Sequence, residues 1–409
     1  MPSDRFFRTR GRALLAVASI ALLTGCGQTV GGHATARVVP VDPATLETGP
    51  YPIEPAAYEP EFDDKEQVFE IESRRMLGYL VPPFDIDPEL SHLDRLELVS
   101  AGEGLYGEGY DAAYPAEFKP IVDRHHLISG VMTIRSNNSV RASKNAVHSL
   151  LRFPSDQTAG AAASDFATAM HTIEPALRKI AVPGHTGIEV STADDKKGYL
   201  FLARGSFVVL TMLTMPTPDA GALAEQAAAL LDRQFERLES ATATPVDEIL
   251  DLPLDPDGIM RRTLPQVGGE YLTGRQFSGP LSPAAQLHFE RDGAALSEAF
   301  ENAGVDLVAR NYAVLYRTRD QQASFRLHTA LTRLDRDDED IDPPPGLEDA
   351  ARCRVLAERD PVTDFTTVCV LLHDRYVAVV GSSESLARGL DPGLYQRAAA
   401  QYSILARSE

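Results

Sequence analysis

Three apolar runs, TGIEVST, KGYLFLARG and SFVVLTMLTM, follow one another within residues 186–215, joined only by turns around DDKK and RG. A parallel pair needs a crossover of roughly a dozen residues or more, so strands this close must pair antiparallel. Each run is rich in β-branched and aromatic residues, the side chains that fit a pleated, half-buried surface. An alanine-rich segment, DAGALAEQAAALLDRQFERL, comes directly after them. Its Leu223, Ala227, Leu230, Leu231, Gln234, Phe235 and Leu238 recur at helical spacing, and Asp219 stands where an N-cap is expected. Upstream, VHSLLRFPS reads as a strand, and DQTAGAAASDFATAMHTI places Ala162, Phe166, Ala169, Met170 and Ile173 on one helical face, with Asp156 able to cap its start. Helix, strands, helix in this order predicts an α+β layer whose antiparallel strands are covered on one face by the two helices.

The first turns of this half come from VFEIESRRMLGYL, with Val68, Ile71, Met76 and Leu80 at helical spacing, and from the short strand RLELVSA. Residues 67–240 thus form an N-terminal α+β domain. A segment of small residues, prolines and acids over 241–258 reads as a linker, and 259–409 as a second α+β domain. In it SPAAQLHFERDGAALSEAFENAGVDLVARN supplies a helical region around Leu296, Phe300 and Ala303, YAVLYRTRD is read as a strand, ASFRLHTALTRL as a strand or short helix, and DRDDEDIDPPPG as a solvated loop. TTVCVLLHDRYVAVVGSS gives two strands turning at His373-Asp374, and DPGLYQRAAAQYSIL a terminal helix. The halves echo each other, since a strand ending near Met215 leads to an alanine-rich helix at 219–238 and one ending near Val380 leads to another at 391–405.

Ahead of both domains, four arginines among the first twelve residues precede the uncharged run ALLAVASIALLTG. A basic head and a short apolar core form an export signal over residues 1–25, too short to span a bilayer. Leu23, Thr24 and Gly25 before Cys26 are similar to a bacterial lipobox, which implies that Cys26 becomes a diacylglycerol-bearing first residue held at the extracytoplasmic face of the cell membrane. Two acyl chains suffice to anchor a protein. The proline-rich stretch to Glu66 (26–66) then reads as an extended tether. Acids outnumber bases 59 to 39, and loss of the signal takes net charge from -20 to near -23. Such a surface excludes nucleic acid as a partner and makes the anchor the only membrane attachment. Export leaves Cys353 and Cys369 in an oxidising compartment with fifteen residues between them, the pattern of one disulfide.

No catalytic signature stands out. Gly102, Gly104 and Gly107 satisfy GxGxxG after a strand, but EGYDAAYPAEF follows instead of a helix, so no dinucleotide site is expected. His125 and His126 are adjacent, and on a strand they would face opposite sides. Neither DPDG at Asp255 nor the acidic tract from Asp335 has the ligand spacing of a calcium loop. No cofactor and no metal is therefore expected, and the chain reads as non-enzymatic. A candidate ligand groove remains, in which Tyr106 and Tyr110 of the glycine loop cover apolar strands carrying Met212 and Met215.

With lipobox, tether, alanine-rich helices and late cysteine pair in place, the chain resembles a family of uncharacterised lipoproteins of mycolic-acid-containing actinobacteria of the Nocardia, Rhodococcus and Mycobacterium type. More distantly it is similar to small extracytoplasmic sensor or ligand-binding domains of mycobacteria, which often carry two disulfides where this chain has cysteines for one. The lipoprotein family has no established activity, so it implies no functional residues; the chain itself is read as an envelope protein that binds an apolar ligand, with a protein-interaction, sensor or scaffold module of the envelope as the alternative and a hydrolase as a distant third.

Overall fold

The computed structural model describes residues 40–60, 62, 66–100, 105–107, 112–266, 277–383 and 391–408. Cys26, Tyr110, Gly102 and Gly104 lie outside the described residues. The N-terminal half runs α1 (Glu66–Leu77), β1 (His92–Val99), α2 (Lys119–Arg124), β2 (Ser129–Ser136), β3 (Asn145–Arg152), α3 (Asp156–Ile173), β4 (Arg178–Ala181), β5 (Glu189–Thr192), β6 (Lys197–Arg204), β7 (Phe207–Thr214) and α4 (Ala220–Glu239). The C-terminal half runs β8 (Gly279–Leu281), α5 (Pro283–Gln286), α6 (Gly293–Ala303), β9 (Leu307–Arg310), β10 (Val314–Arg317), α7 (Gln321–Leu331), β11 (Glu339–Ile341), β12 (Ala351–Val355), β13 (Thr367–His373), β14 (Tyr376–Ser382) and α8 (Pro392–Ala406). The fold is α+β, as the close spacing of the strand runs requires.

Each half holds a seven-stranded antiparallel sheet, in the orders β1-β2-β3-β7-β6-β5-β4 and β8-β9-β10-β14-β13-β12-β11. The second order is the first with every strand number raised by seven. The helices recur at the same places, α3 and α7 after the third strand and α4 and α8 after the seventh. The faint echo in the sequence is therefore a repeated topology. Even the hairpins agree: β6–β7 pairs Arg204 with Phe207 and β13–β14 pairs His373 with Tyr376, each across two residues. Gly205 and Asp374 open these loops with φ of 58° and 47°, in the left-handed region that tight hairpin loops demand.

The two long helices do not share a face. Along β7, Val208 and Leu210 pack with Phe166 of α3, whereas Leu213, and Met215 just beyond the strand, pack with Leu223 and Leu231 of α4. Side chains alternate across a strand, so one apolar strand feeds both layers. The same buried-on-both-sides character hides β2 from periodicity, since SGVMTIRS has almost no exposed position to alternate with.

Further expectations change. The start of α3 is capped by Ser155, which accepts from the Thr158 amide, while Asp156 sits in the first turn. The helical region around Leu296, Phe300 and Ala303 is α6, DLVARN beyond it contains strand β9, and part of the acidic tract forms the short strand β11. Residues 40–60 are no free tether: Leu46, Tyr51 and Ile53 pack on the core under α8, the Val41 amide donates to Tyr402 Oη at 3.1 Å, and Arg397 Nη1 donates to Tyr51 Oη. Proline holds this segment extended, and alternating aromatic and aliphatic residues bind it down. The 241–258 segment is likewise fastened, with Ile249 buried and Thr244 bonded to Glu72 of α1.

Both sheets belong to one compact unit, Ala36–Glu409, and share a core. A single cluster joins Leu96, Val131, Leu150 and Val209 to Phe289, Phe300, Leu327 and Val370, with Met76, Leu77 and Leu80 at the seam. Arg135 of β2 crosses it, fully buried, donating to the carbonyls of His288 (3.0 Å) and Glu290 (3.1 Å) and lying over Phe84.

Candidate ligand-binding site

Of the expected groove, Tyr106 and Met212 lie against one layer, Met215 is buried in the other, and Tyr110 lies outside the described residues. Tyr106 donates to the Ser100 carbonyl and stacks on Tyr114, 5.7 Å between centroids, against the α3 layer. Met212 faces that layer while Met215 is buried in the other. An odd separation along a strand separates the two methionines by the thickness of the sheet. The single histidines are likewise scattered: His125 pairs with Asp165, His148 is buried against Thr211 and Gln234, and His328 meets the Val370 carbonyl. Among the described residues no group of three or more His, Cys, Asp or Glu could hold a metal ion. The cysteines do meet: Cys353 and Cys369 are register partners on β12 and β13 and form a disulfide.

What the structure does hold is a cleft of about 210 Å³ in the C-terminal half, on the α7 face of its sheet. The repeat explains why it is there. Matching the two hairpins and following the registers outward pairs Phe201 with Val370, Leu210 with Val379, Leu151 with Tyr316 and Met132 with Arg310. Matching the helix caps Ser155 and Asp320 pairs Phe166 with Leu331. In the N-terminal half this space is packed with rings, Phe118 lying 4.9 Å from Phe166 and 5.8 Å from Phe201, centroid to centroid. In the C-terminal half three of the large side chains are replaced by smaller ones and two apolar positions have become Arg310 and Tyr316. A packed layer that loses side-chain volume on several neighbouring positions retains an opening.

The floor is apolar, from Val314, Val368, Val370 and Val379, and one wall is polar. Tyr316 Oη donates to Glu290 Oε1 at 2.6 Å, Gln286 Nε2 donates to the same oxygen at 2.9 Å, and Arg310 Nη1 donates to Gln286 Oε1 at 3.3 Å. Arg310 is 3 % exposed, with its guanidinium carbon 4.0 Å from the centre of the Phe289 ring. Desolvation raises the Glu290 carboxyl above the usual carboxylate range, opposed by the bonds from Tyr316 and Gln286. Desolvation also carries the Tyr316 phenol well above its ordinary value, and the nearby Glu290 adds to it. Tyr316 is thus a fixed donor. The 286–290 segment is itself held from behind by Arg135 of the other half.

None of Glu290, Arg310 or Tyr316 was singled out by the sequence. An arginine ending the apolar run LVAR is the one signal that could have marked an inward-pointing cation, and it becomes legible only once DLVARN is known to be a strand.

These features define a class: a two-repeat α+β protein in which the second repeat opens a polar-walled cleft where the first packs phenylalanines, the first keeping a separate groove of about 440 Å³ between α3 and strands β5 and β6. The chain belongs to the DUF7373 family, a domain of unknown function whose N-terminal part matches residues 59–254 and whose C-terminal part matches residues 259–408. Among solved structures, the extracellular domain of PknH from Mycobacterium tuberculosis is similar to part of the chain, at 10 % identity and a TM-score of 0.26, covering 39 % of this chain and 93 % of that one. No curated protein matches. No helix among the described residues is long and apolar enough to cross a membrane.

Proposed function

We propose that this protein is a non-enzymatic binding module, lipid-anchored through Cys26 on the extracytoplasmic face of the membrane, that holds a small molecule with an apolar body in its C-terminal cleft. The observation that carries the reading is the contrast between repeats: the same fold packs phenylalanines into one copy and opens the corresponding place in the other. The cleft is smaller than the roughly 300–1,000 Å³ usual for drug-sized ligands. Its occupant is accordingly short, or leaves part of itself in solvent.

The test uses the design of the first repeat. Val370→Phe with Val379→Leu puts the N-terminal side chains into the C-terminal cleft. Protein exported from an actinobacterial host and compared by native and denaturing mass spectrometry should carry a non-covalent mass that the double variant lacks. A wild-type chain that is bare in both spectra, or a variant that retains the mass, would refute the reading and favour a role in binding envelope proteins.

A further inference from the structure

Ten buried side-chain nitrogen or oxygen atoms among the described residues have no hydrogen-bond partner, and four of them belong to arginines lining this cleft: Arg291 Nη1, Arg310 Nε, Arg310 Nη2 and Arg354 Nε. Buried N–H groups are almost always paired, and each that is not forfeits its hydration without return. Arg291 and Arg354 have acids beside them, Asp335 at 3.4 Å from Arg291 Nη2 and Asp338 at 3.8 Å from Arg354 Nε, whereas Arg310 has no ion pair among the described residues and asks for an acceptor.

Arg310 specifies its shape. The guanidinium is a rigid planar fork, and its Nε–H and Nη2–H point the same way along one edge, spaced to meet the two oxygens of a carboxylate. Gln286 occupies Nη1 on a different edge and leaves that pair free. Phe289 stacks beneath the plane and fixes its tilt. Glu290 and Asp360 are the acids whose charge acts on Arg310. Glu290 is no direct partner, because its Oε1 is taken up by Tyr316 and Gln286. These acids also set a limit on the ligand: a dianion beside them meets more repulsion than a monoanion does.

Resting on the reading of the cleft as a ligand site, we infer that its ligand is a monocarboxylic acid with a short apolar tail, the carboxylate held edge-on by Arg310 and the tail laid over the valines of β13 and β14. The first repeat has methionine at the place of Arg310, so acid recognition is confined to the second.

Octanoate and 1-octanol, equal in chain length and different in head group, are titrated into residues 36–409 and followed by ligand-observed NMR, with octyl phosphate as a third probe. The expected result is that octanoate binds about tenfold or more tighter than octanol, the size of one charge-assisted contact. Arg310→Met should bring octanoate down to octanol's affinity and leave octanol unchanged. Arg310→Lys, which keeps the charge and breaks the fork, should lose most of the preference and serves if the methionine variant does not fold. Equal binding of acid and alcohol by the wild type, or a preference that survives both variants, overturns the carboxylate and leaves the cleft reading standing. Tighter binding of octyl phosphate overturns it in favour of a phosphate. Failure of all three probes to bind overturns both.

Discussion

One buried carboxylate helps to fasten the inter-repeat segment, and its removal can be costed. Glu72 of α1 has 1 % of its side chain exposed. It accepts from Arg152 Nη1 at 2.6 Å, from Arg75 Nη1 at 2.9 Å and from Thr244 Oγ1 at 2.8 Å. Arg152 also donates to the Thr244 carbonyl, so helix, strand β3 and inter-repeat segment meet at a single point. Glu72→Ala strips the counter-charge from Arg152, whose side chain is 5 % exposed. Breaking a buried pair by removing one partner costs about 3–5 kcal/mol, because the other charge is left buried and uncompensated. Against a usual stability of about 5–15 kcal/mol this is a large share. The chain has no tryptophan, so urea unfolding is best followed by far-UV circular dichroism. With a slope near 3 kcal/mol per molar for a chain of this size, the midpoint should fall by about 1 M or more. Replacing both Glu72 and Arg152 by methionine removes the charge and the need for it together, and should cost much less than Glu72→Ala alone. A single variant within about 1 kcal/mol of wild type, or a double variant as damaged as the single one, would refute the argument.

The binding predictions for Val370→Phe with Val379→Leu and for Arg310→Met are joined by two on stability. Replacing Cys353 and Cys369 by serine should lower stability by about 3 kcal/mol through the reopened loop, seen as a lower thermal midpoint than that of the oxidised wild type, and an unchanged midpoint would contradict it. Burial lowers His148 to about 4 and His288 to about 3, so both stay neutral in the fold while the unfolded chain takes up protons below about 6.5. Their stabilising effect is therefore complete above pH ~6.5 and is lost as pH falls toward the folded values, by about 1.4 kcal/mol per pH unit for each histidine. His148→Gln should flatten the stability profile between about pH 6 and 4.5 by one such share, and an unaltered slope would count against it.

Much of the layer composition could be read from the chain because it depends on local rules. Strand runs too close for crossovers forced antiparallel pairing, β-branched residues marked β6 and β7, and the leucine and alanine stripe with Asp219 at its head marked α4. Cys353 and Cys369 could be paired because the sequence reading sets Cys26 aside as the lipobox cysteine and leaves only these two. What the sequence could not decide was everything that depends on which face meets which layer. The apolar surface of β7 has one sequence and two destinations, so α3 and α4 went to opposite sides. Residues 40–60 have the composition of a tether, yet they find aromatic partners under α8 some 350 positions away. Phe201 and Val370 are both ordinary strand residues, and only the matched registers of two folded sheets reveal that the second leaves open the space the first fills. The cleft belongs to tertiary structure for that reason: it is a difference in volume between two places that are far apart in the chain and equivalent only in the fold.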